Sequence, residues 1–211
     1  TFTVTGTGGI IEGNLGAANV NVNLDAVLNF GASGDYIDLG NTSLYRDAAE
    51  ARTISFWAKC NDATAEDDYF MSFGDSSTGG AFFAPRITNS TQNLGCMING
   101  TGDFNDIATA INISTLVDSW HHFCFTYDGV QTLKIYLDGV SVETASDISA
   151  ASDVLVTDGS DKAFIGGRNV SGSINNAIDA DIADVRIYST ALTTEIPTLA
   201  SRIGIDNSIV Q

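Results

Sequence analysis

Positive charge is scarce in this sequence: 9 Lys and Arg stand against 26 Asp and Glu, leaving a formal net charge of −17. Phosphate backbones are held by surfaces rich in lysine and arginine, so nucleic acid is excluded as a partner. Such acidity favours solubility, cation binding, or a salty medium that screens self-repulsion. No apolar run is long enough to span a bilayer as a helix. No leader-like stretch precedes the body of the chain, and Thr1 stands where a Met would, which leaves a removed leader and a longer parent protein both open. The 3 cysteines, Cys60, Cys96 and Cys124, are too few and too widely spaced for a disulfide framework or a C-x-x-C metal site. Cys60 and Cys124 fall in strand-like runs and read as small buried hydrophobes, with one disulfide and one free thiol as the alternative. There is no repeat of about 20–50 residues, no Ser/His/Asp signature and no phosphate loop, since Ile165-Gly-Gly-Arg168 lacks the lysine.

What is present is β-structure around one core. The length of 211 residues and 44% hydrophobic content fit a single all-β domain. The clearest stretch is Trp120 to Val140, WHHFCFTYDGVQTLKIYLDGV. Its first run is aromatic and β-branched, suited to a pleated, half-buried surface. Asp128-Gly129 supplies turn chemistry. Leu133, Ile135 and Leu137 then alternate with Lys134 and Tyr136, and Asp138-Gly139 makes a second turn.

Residues 1–26 read as an arm of short strands broken by glycine, with Asn19, Asn21 and Asn23 alternating against Val20, Val22 and Leu24. The arm either adds edge strands to its own sandwich or pairs with a neighbouring copy as a homo-oligomer or assembly contact. Strands are expected at Leu28–Leu39, as a pair turning at Ser33-Gly34, and at Thr53–Cys60, Tyr69–Phe73, Ala81–Ile87, Leu94–Ile98, Ala163–Gly166 and Ile178–Tyr188. Asn99–Asp106 and Asn169–Asn176 read as loops, and Ile107–Ile113 as a short strand or connector. Asp47–Ala51 is a modest helical candidate. A closing helix is expected within Ala191–Arg202, with Thr193 and Thr194 as candidate caps and Pro197 early enough to be tolerated.

Four motifs in order carry a family resemblance: LNFGASGDYIDLG (Leu28–Gly40), TISFWAKC (Thr53–Cys60), the W-H-H…Y-D-G…L-x-I-Y-x-D-G hairpin, and IGGR with DIADVRIYSTALTTEI (Asp181–Ile196). Together they resemble a laminin-G-like domain of the concanavalin A-like lectin/glucanase jelly rolls. The resemblance implies a two-sheet antiparallel β-sandwich over residues 27–202, flanked by the arm and by a tail at 203–211. One such fold hosts many activities, so function must be argued from a site.

Asp179, Asp181 and Asp184 resemble the E-x-D-x-x-E strand of the glucanases that share this fold, whose retaining site pairs a nucleophile with an acid/base. All three positions are Asp here, and Asp184 would point away from the other two unless a bulge intervenes. The resemblance also admits a structural Ca²⁺, as related jelly rolls carry one near the rim. Its ligands would be Asp35 and Asp38 near the opening strand with Asp179 and Asp181 near the closing one. His121 and His122 point to opposite faces of one strand and read as packed, hydrogen-bonded residues. Asn41, Asn89, Asn99, Asn112 and Asn169 satisfy N-x-S/T, which matters only in a glycosylating pathway. A glycan site would need an aromatic platform beside amides and carboxylates: Phe83 or Phe104, with Asn99 and Asn169, are the candidates, core packing being the competing role for the rings.

These readings lead to a non-catalytic module on an extracellular, cell or virion surface that binds a glycan or a surface protein. The alternative is a self-assembling virion decoration, fibre or filament subunit using residues 1–26. A glycoside hydrolase or lyase stands third.

Overall fold

A computed structural model describes residues 3–5, 14–16, 19–21, 27–31, 34–40, 50–62, 67–76, 82–100, 103–148 and 162–201. The strands in chain order are β1 (Thr3–Thr5), β2 (Asn14–Gly16), β3 (Asn19–Asn21), β4 (Leu28–Phe30), β5 (Tyr36–Gly40), β6 (Arg52–Cys60), β7 (Asp68–Tyr69), β8 (Met71–Gly74) and β9 (Phe82–Ile87). They continue as β10 (Asn93–Gly100), β11 (Asp103–Asn112), β12 (His121–Tyr127), β13 (Leu133–Leu137), β14 (Val140–Ala145), β15 (Ala163–Ile165), β16 (Arg168–Val170), β17 (Ser173–Asn175) and β18 (Ala180–Tyr188), before the helix α1 (Ile196–Ser201). One sheet runs β1-β5-β15-β8-β9-β10-β11 with β7 beside β9; the other runs β14-β13-β12-β6-β18-β3-β2 with β4 beside β18. Among the described residues every ladder of the two sheets is antiparallel, and this is the expected sandwich.

The Trp120–Val140 stretch forms β12 and β13 in register, with Phe123 opposite Leu137 and Tyr127 opposite Leu133. Its first turn is fixed by the Asp128 carboxylate, which accepts the backbone N–H groups of Val130, Gln131 and Thr132 at 2.8, 2.9 and 2.9 Å. Burial raises the pKa of Asp128, but these backbone bonds outweigh it and leave the group below its ordinary value. At the second turn Asp138 (φ 51°) and Gly139 (φ 79°) both lie in the left-handed region, the type I′ geometry that matches strand twist.

The core lies between the sheets. Phe56 on β6 and Phe123 on β12 lie 5.6 Å apart, and both meet Phe70, which links β7 to β8 in the facing sheet, at ring separations of 5.1 and 5.3 Å. Tilted rings at this spacing add to the stabilisation that their burial supplies. All three cysteines are free and buried. Burial is the main cause that pushes the Cys60 and Cys124 thiols up to about 12, which leaves them unreactive.

Three expectations are corrected. Leu28–Leu39 is not a hairpin: β4 pairs with β18 in one sheet and β5 with β15 in the other. Asn99–Asp106 is mostly strand, because β10 and β11 pair as antiparallel neighbours up to Gly100 opposite Asp103. Asn169–Asn176 lies within the β16–β17 hairpin, where Ser171 (φ 52°) and Gly172 (φ 80°) make the turn. The closing helix falls where expected, at Ile196–Ser201 within Ala191–Arg202, with Pro197 in its first turn, where a missing N–H leaves no bond unmade; it starts at Ile196, so Glu195 rather than Thr193 or Thr194 precedes it. Within the arm, β1 pairs with β5, β2 with β3, and β3 with β18 through Asn21 and Arg186. These are extra edge strands of the chain's own sandwich. Residues 47–49 of the helical candidate, Ser33 of the expected turn, and the 203–211 tail lie outside the described residues.

Candidate functional site

The strands β9 to β11 place alternate side chains on opposite faces of their sheet. Phe83, Ile87, Leu94, Cys96 and Ile98 enter the main core, whereas Phe82, Ala84 and Met97 join Tyr69 in a separate cluster on the outer face. Register then fixes what stands beside what on that outer face. Asn99 is opposite Phe104, Met97 is opposite Asp106 and Ala84, and Gly95 lies between Arg86 and Ala108. A Cβ at Gly95 would come within 2.7 Å of the Ile107 carbonyl oxygen, so the close approach of the two backbones requires glycine there.

An open cleft of about 510 Å³ lies on this face, with Tyr69, Arg86, Met97, Phe104, Asp106 and Arg168 among its walls. Phe104 is 67% exposed and is the only aromatic among the exposed large hydrophobic side chains of the described residues. Arg86 is buried and donates to the carboxylates of Asp67, at 2.6 Å, and Asp106. Burial opposes its charge, but Tyr69, Asp106 and Asp67 outweigh that and raise its pKa. Its guanidinium also lies 5.8 Å from the Tyr69 ring centre. The Arg168 guanidinium lies 5.3 Å from the same ring. The Tyr69 hydroxyl donates to Met97 Sδ at 3.0 Å.

The sequence candidates divide on this geometry. Asn99 and Phe104 are brought together as register partners on the outer face, where the Asn99 side-chain oxygen accepts the Asn105 N–H at 3.2 Å. Phe83 is corrected: at 1% exposure, in the core, its ring offers no platform. Asn169 is corrected as well. It is fully buried and its amide is spent on the chain, donating to the carbonyls of Gly74 at 2.8 Å and Lys162 at 3.2 Å and accepting the Gly172 N–H at 2.9 Å.

The proposed calcium ligands are not gathered. Asp38, on β5, accepts Lys162 Nζ and the Gly40 N–H, at 2.8 and 2.7 Å. Asp35 accepts the Gly31 N–H at 3.3 Å. Asp181, on β18 in the other sheet, holds Lys59 at 2.8 Å and Asn29 at 2.6 Å, and Asp179 accepts the Asn61 amide at 2.8 Å. The cause is the departure of β4 and β5 into different sheets. Among the described residues no group of three or more His, Cys, Asp or Glu is placed to hold a metal ion. The bulge considered for the closing strand does occur, between Ala183 and Arg186, with Asp184 at φ 49°. It turns the Asp184 carboxylate onto Arg186 at 2.8 Å, so each of the three closing-strand carboxylates has its own partner.

His122 is buried, its Nε2 2.8 Å from the Ser55 hydroxyl and its ring edge-on to Trp57 at 5.5 Å. Desolvation is the main cause that lowers its pKa to about 4, so it is neutral at pH 7. His121 instead pairs with Asp138 at 2.8 Å. The two histidines thus occupy separate environments, as expected.

Arg86, Tyr69, Asp67 and Asp106 were missed from the sequence as site residues. The available signal was Arg86 itself, a charge inside the apolar run Phe82–Ile87 and in phase with Phe82 and Ala84.

Comparison with known proteins agrees with the architecture. Residues 30–196 match the laminin G-type model described as Concanavalin A-like lectin/glucanases superfamily. No curated protein matches the chain. Among solved structures, the receptor binding domain of botulinum neurotoxin D superposes with a TM-score of 0.62 at 16% identity, over 95% of this chain and 47% of that one. The NanB sialidase from Streptococcus pneumoniae gives 0.63 at 15% identity, over 83% of this chain and 28% of that one. Domain 4 of AbnA, a GH43 extracellular arabinanase from Geobacillus stearothermophilus in complex with arabinotriose, gives 0.62 at 20% identity, over 95% of this chain and 88% of that one. The chain spans about half the length of the neurotoxin domains that it matches.

Proposed function

The chain belongs to the concanavalin A-like lectin/glucanases superfamily, and from that premise we propose that it is a non-catalytic module that binds a glycan in the cleft beside Phe104. The observation that carries this reading is an exposed aromatic ring on the same open face as two arginines and two carboxylates. A sugar ring has an apolar C–H face that stacks on an aromatic and hydroxyls that satisfy charged groups, so it is met by both kinds of group at once. Structural neighbours that include a receptor-binding domain and a domain in complex with arabinotriose are in keeping with recognition.

Absence of catalysis is supported by the closing strand. A retaining glycosidase needs two carboxylates about 5–5.5 Å apart, one poised to donate a proton. Asp179, Asp181 and Asp184 are instead held by Asn61, by Lys59 with Asn29, and by Arg186. Display on an extracellular, cell or virion surface is in keeping with the extracellular enzyme among the neighbours. Assembly through residues 1–26 has less support, since β1 and β3 pair within the chain.

The test is a glycan array followed by calorimetry on the best binder, with wild type and Phe104→Ala. Loss of the stacking surface is expected to weaken binding roughly tenfold. The melting temperature is expected to hold, because Phe104 is 67% exposed. A folded chain that binds no glycan, or one whose binding ignores Phe104→Ala, overturns the reading.

A further inference from the structure

Arg168 differs from Arg86 in one respect. Arg86 is matched by two carboxylates, whereas among the described residues none of the ion pairs involves Arg168. Its Nη1 makes a long hydrogen bond, 3.4 Å, to the Tyr69 hydroxyl, and its Nε, like that of Arg86, is buried without a hydrogen-bond partner, so the missing carboxylate is what separates the two. A guanidinium presents five donors in a planar fork, and leaving a buried one unmatched costs free energy. In a chain with nearly three acidic residues for each basic one, 26 against 9, a cation without a carboxylate partner on the wall of an open cleft is conspicuous.

We infer that the glycan taken by the cleft is an acidic one, whose sugar carboxylate is bound by Arg168. This deepens the glycan reading above and rests on it. Arg86, Asp67 and Asp106 together carry one net negative charge, which Arg168 offsets, so the cleft lining is neutral overall and an acidic ligand would be held by the local guanidinium fork of Arg168 rather than by a net positive field. A carboxylate fits better than a neutral hydroxyl, because a planar two-oxygen acceptor matches the planar fork and the bond is charge-assisted. The global charge of −17 does not forbid this: at physiological salt, charges beyond about 8 Å are largely screened. The β16–β17 hairpin holds the group in place, since Arg168 pairs with Asn175 across it and the buried Asn169 anchors it to Gly74 at 2.8 Å.

The experiment uses matched probes on the full chain. Sialylated and uronate-containing oligosaccharides, their methyl esters, sulfated oligosaccharides and neutral oligosaccharides are compared for wild type, Arg168→Gln and Arg168→Lys, with each variant's melting temperature measured. The free acids are expected to bind the wild type about tenfold or more tightly than their methyl esters, which keep the shape and lose the charge. Arg168→Gln should abolish that preference and Arg168→Lys should restore part of it. Equal binding of acid and ester by the wild type overturns the inference whether or not the variants fold. Binding of neutral sugars alone also overturns it and leaves the glycan reading standing. Preference for sulfated probes alone overturns the carboxylate assignment. No binding of any probe removes the glycan reading as well.

Discussion

His122 shows how a single residue couples burial to acid sensitivity. It is 1% exposed, and its folded pKa of about 4 lies below the ordinary value of 6.5. Above pH 6.5 the imidazole is neutral in both states, and the stability linked to it is fully present. Between 6.5 and 4 the unfolded chain takes up a proton that the folded chain refuses, so stability falls as pH falls through that window. At about 1.4 kcal/mol per pKa unit, the loss from pH 7 to pH 4.5 is about 2–3 kcal/mol from this residue. Urea titrations of wild type and His122→Gln at both pH values measure it. The variant is expected to lose that much less on acidification, and equal losses would mean that the ring protonates freely in the folded state. This role was legible in the sequence only as a packed histidine. Its strand phase set it apart from His121, but the depth of burial depends on partners, Ser55 and Trp57, that lie more than sixty residues away in the chain.

At the scale of elements, the Arg86 network ties β9 to β11 and to the segment entering β7, through Asp106 and Asp67. Asp67 also accepts the Asn89 backbone N–H at 2.7 Å, which fixes the turn after β9. Removing the cation while leaving both carboxylates is costly, because the remaining like charges lose their counter-ion in a partly desolvated place. The carboxylates are 28% and 36% exposed, so the expected cost of Arg86→Met is about 2–3 kcal/mol, below the roughly 3–5 of a wholly buried pair. A triple variant, Arg86→Met with Asp67→Asn and Asp106→Asn, should recover part of that loss in urea denaturation. If it is no more stable than the single variant, the charges are not the reason for the cost. The same elements mark the limit of sequence reading. The β12–β13 hairpin was legible because strict alternation and two Asp-Gly turns agree locally. The β10–β11 and β16–β17 hairpins were not, since Asp103, Asn105, Asp106, Asn169 and Asn175 have low strand propensity and pairing overrode it. Phe104 and Arg168 stand on those two hairpins, so the candidate rings and amides could be named from the sequence but the cleft could not be assembled from it.

For the whole molecule, the arm decides how the sandwich ends. The strand β1 closes the free side of β5, and β3 lies against β18 at Arg186. The main core cluster, as described, begins at Leu28, and its rings belong to β6, β8, β9, β12 and their neighbours. Loss of residues 1–26 should therefore leave a folded sandwich while uncovering backbone donors and acceptors along Tyr36–Asp38 and beside Arg186 of β18. Unpaired edges of this kind recruit strands from other chains. Size-exclusion chromatography with light scattering should show the shortened chain shifting toward dimers or larger species at concentrations where the full chain does not, with far-UV circular dichroism still that of a β protein. This is the opposite of what an assembly arm would do, since deleting such an arm dissolves contacts between copies. A shortened chain that stays monomeric from a full-length oligomer would restore the assembly role of residues 1–26 and displace the edge-covering one.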